Sequence, residues 1–217
     1  MNNTTGLYNL HTENYDGFKS GLFENKTKLG LEGTIVLQKN LDAYKKGYRY
    51  IVNQGGARSS KTISLCQLFI NLAFNEWRDY RITIMRKTFP ALRESVMYDF
   101  FSLLRKYGLY SESLHDKTNN YYYLKSNRFS FAAIDDPQKV RGREHDISWL
   151  NEANEAEHED FKQVNMRTID RVFLDYNPSD EYHWIYSDVI ENPKRQGKVC
   201  FIHSTYMDNP YLAPFFI

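Results

Sequence analysis

Residues 48–74 read YRYIVNQGGARSSKTISLCQLFINLAF, and the fold turns on how this stretch is understood. It opens with a β-rich run, 48–53. It ends in a run that is apolar nearly all round, with Ile63, Leu65, Cys66, Leu68, Phe69, Ile70, Leu72 and Phe74. A helix without a polar face is one buried against a sheet. Between strand and helix lie Gly55, Gly56, Ala57, Arg58, Ser59, Ser60, Lys61 and Thr62. They follow the pattern Gly, four residues, Gly-Lys-Ser/Thr, with serine in place of the second glycine. In such a loop successive backbone N–H groups and the helix N-terminus converge on the β-phosphate, the lysine bridges β- and γ-phosphate oxygens, and the final hydroxyl serves Mg2+. The stretch therefore reads as a binding loop for ATP and Mg2+ from Gly55 to Thr62. Lys61 is expected on the phosphates, Thr62 on the metal, and Arg58 on charge developing at the γ-phosphate. Ser60 is the departure, because its Cβ restricts the positive φ that glycine adopts freely.

Outward from this unit, β-rich runs at 81–85, 146–150, 171–176 and 198–203 alternate with helical segments at Lys61–Glu76, Pro90–Lys106, Glu157–Arg167 and Asp180–Ile190. That alternation predicts a parallel sheet with helices on its faces. Residues 120–134 contain two β runs meeting at Ser126-Asn127, which predicts a hairpin inserted before the next parallel strand. Residues 1–32 lack sustained periodicity and read as an irregular lead-in.

The second chemical element is HDISWLNEANE at 145–155. Hydrolysis of a triphosphate needs an apolar strand ending in an acidic group that positions Mg2+ and activates water. Ile147, Trp149 and Leu150 supply the strand. Asn151 stands where a metal-organising acid is usual, and Glu152 is the catalytic base candidate, serving both metal and water. Glu155, one turn on, reads as a helix-terminal carboxylate.

Bulk composition narrows the partners. The 217 residues carry 28 Lys plus Arg against 27 Asp plus Glu, so a nucleic-acid contact has to be a local patch. Arg86-Lys87 is one such candidate. Cys66 and Cys200 lie far apart without CxxC or histidine-rich neighbours, which excludes a structural zinc set and fits a reducing cytoplasm. No apolar stretch approaches the roughly 18–20 residues that cross a bilayer, so no membrane partner is expected.

VNQGGARSSKT (52–62), RKTFPALRESV (86–96), KVRGREHDISWLNEANE (139–155), FLDYNPSDEYHWIY (173–186) and HSTYMDNPYL (203–212) occur in that order. Together they resemble the ATPase domain of the large terminase subunit of tailed bacteriophages. The resemblance implies an α/β fold, a P-loop NTPase of the ASCE, RecA/helicase-like type. That fold is a three-layer sandwich with a mostly parallel central sheet and an inserted β-hairpin. It implies residues 1–35 as an arm and 36–217 as the ATPase domain, without the RNase H-like nuclease half of full-length relatives. Gly55 to Thr62 is similar to the Walker A loop, Asn151-Glu152 to the end of Walker B, and Asn177 to the coupling motif that senses γ-phosphate loss. Arg141 resembles the arginine offered to the ATP of a neighbouring subunit. The activity implied is ATP hydrolysis that drives double-stranded DNA into a procapsid. The implied partners are DNA, the small terminase subunit, the portal and further copies in a ring on the portal, with a monomer possible in isolation. The implied location is the host cytoplasm, with transient docking on the procapsid. The alternative open to the sequence is a P-loop kinase or nucleotide-binding switch without translocation; a third is a non-catalytic module with a degenerate loop.

Overall fold

In the computed structural model, which describes residues 33–135, 144–178 and 183–212, eight strands form one sheet. They are β1 (Tyr50–Gly55), β2 (Arg81–Arg86), β3 (His115–Asp116), β4 (Tyr121–Leu124), β5 (Asn127–Ala133), β6 (His145–Asn151), β7 (Thr168–Tyr176) and β8 (Val199–Ser204). Their order across the sheet is β3-β4-β5-β2-β6-β7-β1-β8. From β5 to β8 every neighbouring pair is parallel, and β4 alone runs the other way, antiparallel to both β3 and β5. One strand, β7, is interposed between β1 and β6.

Side-chain alternation along each strand builds two cores, because successive residues face opposite sides of a sheet. Ile51, Trp149 and Phe173 face a layer containing α1 (Ile35–Lys45), α2 (Lys61–Asn75) and α4 (Tyr98–Lys106). Their neighbours Val52, Leu150 and Leu174 face the opposite layer, with Phe161 and Val164 of α5 (His158–Arg167) and Ile185 and Val189 of a π-helical turn (Ile185–Ile190). The three layers follow from this division. At the centre of the first core Phe69 meets Trp149 and Phe173 edge-on, with ring centroids 5.4 and 4.8 Å apart. Cys66 is wholly buried beside them, and burial pushes its thiol well above the usual range.

Several elements differ from the sequence reading. The sequence pattern marks no element over residues 33–47, yet α1 occupies 35–45, capped by Thr34, whose Oγ1 accepts from the Leu37 N–H. Its pattern is hidden because a buried position is polar: Asn40 is solvent-excluded and exchanges two hydrogen bonds with Asn53, at 2.7 and 2.9 Å. The predicted helix 90–106 is α3 (Phe89–Leu92), a π-helical turn (Arg93–Met97) and α4 in succession. The hairpin corner is Lys125-Ser126, one residue before the predicted corner, with Leu124 opposite Asn127. Of the helix expected over Asp180–Ile190, residues 180–182 lie outside the described residues. Among the described residues no helix is long and apolar enough to cross a membrane.

Candidate functional site

β1, β6 and β7 are parallel and adjacent in the order β6-β7-β1, so their C-terminal ends open on one side of the sheet. Ligands of open α/β sheets bind at such ends. The loop after β1, Glu152 after β6 and Asn177 after β7 line one cavity of about 610 Å3.

Gly55 is required by packing, since a Cβ there would lie 2.3 Å from the Ser204 carbonyl oxygen on β8. Gly56 meets no such neighbour. Arg58 and Ser60 both take the left-handed conformation, at φ 65 and 64. The restriction expected of Ser60 is thus overridden: the residue adopts the glycine-like angle that starts α2, and its hydroxyl donates to Thr34 Oγ1 at 3.2 Å. Thr34 Oγ1 also lies 2.8 Å from Ser64 Oγ, so α1 and α2 are tied together at the loop. Asn209, after β8, donates to the Arg58 carbonyl at 2.9 Å. Ala57, Arg58, Ser59, Ser60, Lys61 and Thr62 all face the cavity.

Lys61 is buried, and its ammonium folds back on the loop. It donates to Gly55 O at 2.6 Å, Gly56 O at 3.1 Å, Ser59 Oγ at 3.2 Å and Asn177 Oδ1 at 3.0 Å. Burial lowers its pKa, and the nearby Asp175 and Glu152 carboxylates work against that shift. The residue that follows β7 thus touches the loop lysine directly.

Thr62 Oγ1 donates to Asp175 Oδ2 at 3.4 Å. Asp175 is fully buried on β7, opposite Asn151 of β6 and Asn53 of β1. It accepts from Trp149 Nε1 at 2.6 Å and from Asn151 Nδ2, which lies 3.1 and 3.0 Å from its two oxygens. Burial raises its carboxyl to about 6; the Glu152 charge adds to that, while the Trp149 bond, the Lys61 charge and the Asn151 bond oppose it. Asn151 Oδ1 is buried without a hydrogen-bond partner. Glu152 takes the left-handed conformation at φ 47, a strain that proteins retain where the surroundings impose it, often at active sites.

Of the residues singled out from sequence, Gly55, Lys61, Thr62, Asn151, Glu152 and Asn177 are therefore brought together. Arg141 and its neighbour Arg143 lie outside the described residues. Glu155 lies in the short 3-10 turn Ala153–Glu155 and pairs with Arg86, at 2.7 Å between Oε1 and Nη2. Lys87 faces Asp160 at 3.4 Å, so the two basic residues considered for DNA contact are engaged within the fold. Gln54 and Tyr50, on the strand that leads into the loop, are committed elsewhere. Gln54 Oε1 accepts from the Tyr176 and Tyr186 hydroxyls, and the Tyr50 hydroxyl donates to Asn165. Asn209 and Tyr211 line the cavity instead. The residue that sequence reasoning missed is Asp175. The signal was an acid near the end of the otherwise apolar strand VFLDY.

A family model described as phage terminase large subunit matches residues 48–215. Among curated proteins none matches the sequence significantly. Among solved structures, the large terminase from a thermophilic bacteriophage superposes with a TM-score of 0.74 at 20% identity, covering 85% of this chain and 48% of that one. The same phage's large terminase in complex with ATP-gamma-S gives 0.70 at 18% identity, covering 85% and 47%. The large terminase ATPase domain of Thermus phage P74-26 gives 0.56 at 15% identity, covering 81% and 82%. The chain thus spans about half the length of the first two of these structures.

Proposed function

The chain belongs to the phage terminase large subunit family, and from that premise we propose that it is the ATPase motor domain, which hydrolyses ATP with Mg2+ to move double-stranded viral DNA into a procapsid. The observation that carries this reading is the Lys61 ammonium held at the cavity on Gly55 O, Gly56 O and Asn177 Oδ1. Phosphate oxygens of an entering nucleotide replace those uncharged acceptors with charged ones, so that the ammonium's bonds become ion pairs.

The residues divide the work. Backbone N–H groups of Gly56 to Thr62 and the start of α2 cradle the β-phosphate, and Lys61 bridges the β- and γ-phosphates. Arg58 stabilises charge on the γ-phosphate, Glu152 orients and deprotonates the attacking water, and Asn177, released from Lys61, reports on the γ-phosphate. Bound Mg2+ supplies neutralisation of the phosphate oxygens. The hydroxyl of Thr62, the carboxylate of Glu152 and the unpartnered Oδ1 of Asn151 are hard oxygen donors of the kind it takes. Among the described residues no three His, Cys, Asp or Glu side chains converge, and Mg2+ usually takes one or two carboxylates with substrate phosphates. Arg141 completes the site of a neighbouring copy in a ring on the portal, with the small terminase subunit bringing the DNA. The motor works in the host cytoplasm, docking transiently on the procapsid.

The test is phosphate release and nucleotide affinity in Lys61→Ala and Glu152→Gln. Lys61→Ala is expected to weaken ATP binding. Glu152→Gln is expected to keep binding and to lose about 10² to 10⁴ in turnover, the usual worth of general-base catalysis. If both variants turn over ATP as the parent does, the assignment is overturned.

A further inference from the structure

The strand end from which an acid ordinarily organises the metal carries an amide, Asn151. The charge is not lost, because it stands one strand away. Asn151 and Asp175 are register partners across β6 and β7, and the amide nitrogen of one holds both carboxylate oxygens of the other. We propose that Asp175 supplies the carboxylate that organises the divalent cation of the nucleotide, with Asn151 as its amide partner, so that acid and amide have exchanged strands relative to the usual arrangement. The proposal rests on the loop being the Mg2+–ATP site.

Three observations carry it. The first is the cost of the carboxylate where it lies. Asp175 is 0% exposed, and among the described residues no ammonium or guanidinium makes an ion pair with it. A buried anion held only by neutral donors remains expensive unless a cation arrives. The second is its aim. Thr62, whose hydroxyl the loop pattern reserves for the metal, directs that hydroxyl at Asp175 Oδ2. The third is the Asn151 amide. Both bonds drawn from it are Nδ2 to Asp175, while its Oδ1 is solvent-excluded and has no partner. A purely structural Asn–Asp pair would leave neither a buried carboxylate hydrogen-bonded by neutral donors alone nor an orphaned acceptor at one place. A hydrated cation answers both, accepting the carboxylate's charge and giving Oδ1 a water to accept from. Glu152 is then free for the attacking water alone, instead of serving metal and water together.

Asp175 is a positioning residue for phosphate chemistry, so the decisive readout is metal dependence of binding and not turnover. A fluorescent ATP analogue is titrated into the full chain with Mg2+ and with EDTA, and the ratio of the two affinities is compared across variants. In Asp175→Asn the ratio is expected to fall about tenfold or more, the scale on which metal affinity answers to its supporting groups, while affinity in EDTA stays within about threefold. The exchange variant Asn151→Asp/Asp175→Asn, which returns the acid to β6, is expected to recover it. Circular dichroism establishes that each variant is folded. Should Asp175→Asn not fold, the exchange variant decides alone: metal-dependent binding supports the proposal, and its loss overturns it. The proposal also falls if Asp175→Asn keeps the parent ratio or if Glu152→Gln is the variant that loses it. Failure of the underlying reading looks different, because Lys61→Ala would then bind the analogue as tightly as the parent does.

Discussion

Ser60 stands at φ 64 where a phosphate loop ordinarily has glycine, and a non-glycine residue pays roughly 1–2 kcal/mol for that region. Its hydroxyl recovers part of this through the bond to Thr34 Oγ1. Ser60→Ala keeps the strain and loses the bond, so it is expected to destabilise the fold by about 1 kcal/mol. Ser60→Gly removes both and is expected to lie about 1 kcal/mol above the alanine variant in a urea titration. Equal stabilities would show that the angle is not strained. Ser60 and Asn151 were both legible as departures from pattern. What compensates each of them was not, because Thr34 lies 26 residues before the one and Asp175 lies 24 residues after the other. A local motif reports its own members and is silent on partners that only the sheet brings near.

Among the elements, those with strong periodicity were legible and those held by polar side chains were not. α2 is legible within a residue because its apolar positions, nine of fifteen, lie nearly all round, and β6 and β7 because their apolar runs end at chemistry. α1 escaped because one of its buried positions is Asn40, and the π-helical turn at 93–97 has no signature in the hydrophobic pattern. Asn127 shows the same effect in a hairpin, where sequence reading saw only a turn residue. Its Nδ2 lies within bonding distance of Ala73 O, Trp77 O and Leu124 O, and its Oδ1 accepts from the Tyr80 N–H. It thereby closes the C-terminal end of α2 and fixes where β2 begins. Truncation leaves several of these groups buried and unpaired, at about 1–3 kcal/mol apiece. Asn127→Ala is therefore expected to cost about 3 kcal/mol in chemical denaturation. A loss under about 1 kcal/mol would mean that water satisfies the freed groups.

For the whole molecule, the fold class was legible from one strand–loop–helix unit, but the order of strands was not, since β1 lies between β7 and β8, more than a hundred residues away in sequence. That order joins Lys61, Asp175 and Asn177 at one end of the sheet. At that end a buried lysine donates to neutral carbonyls and a buried aspartate accepts only from neutral donors, the two charges acting on each other without a direct ion pair among the described residues. Both are relieved by an anion and its cation arriving together. Ligand binding should therefore stabilise the molecule globally, and a nucleotide at a hundred times its dissociation constant contributes about 2.7 kcal/mol. For a chain of this size that is a rise in Tm of about 5–11 °C. A non-hydrolysable ATP analogue with Mg2+ is expected to give such a rise in a thermal scan of the parent. Lys61→Ala, compared with its own ligand-free scan, is expected to give none. Because the scan reads binding alone, it separates the site from the motor: a parent chain whose Tm does not move under saturating analogue has no nucleotide site at this sheet end, whatever its turnover.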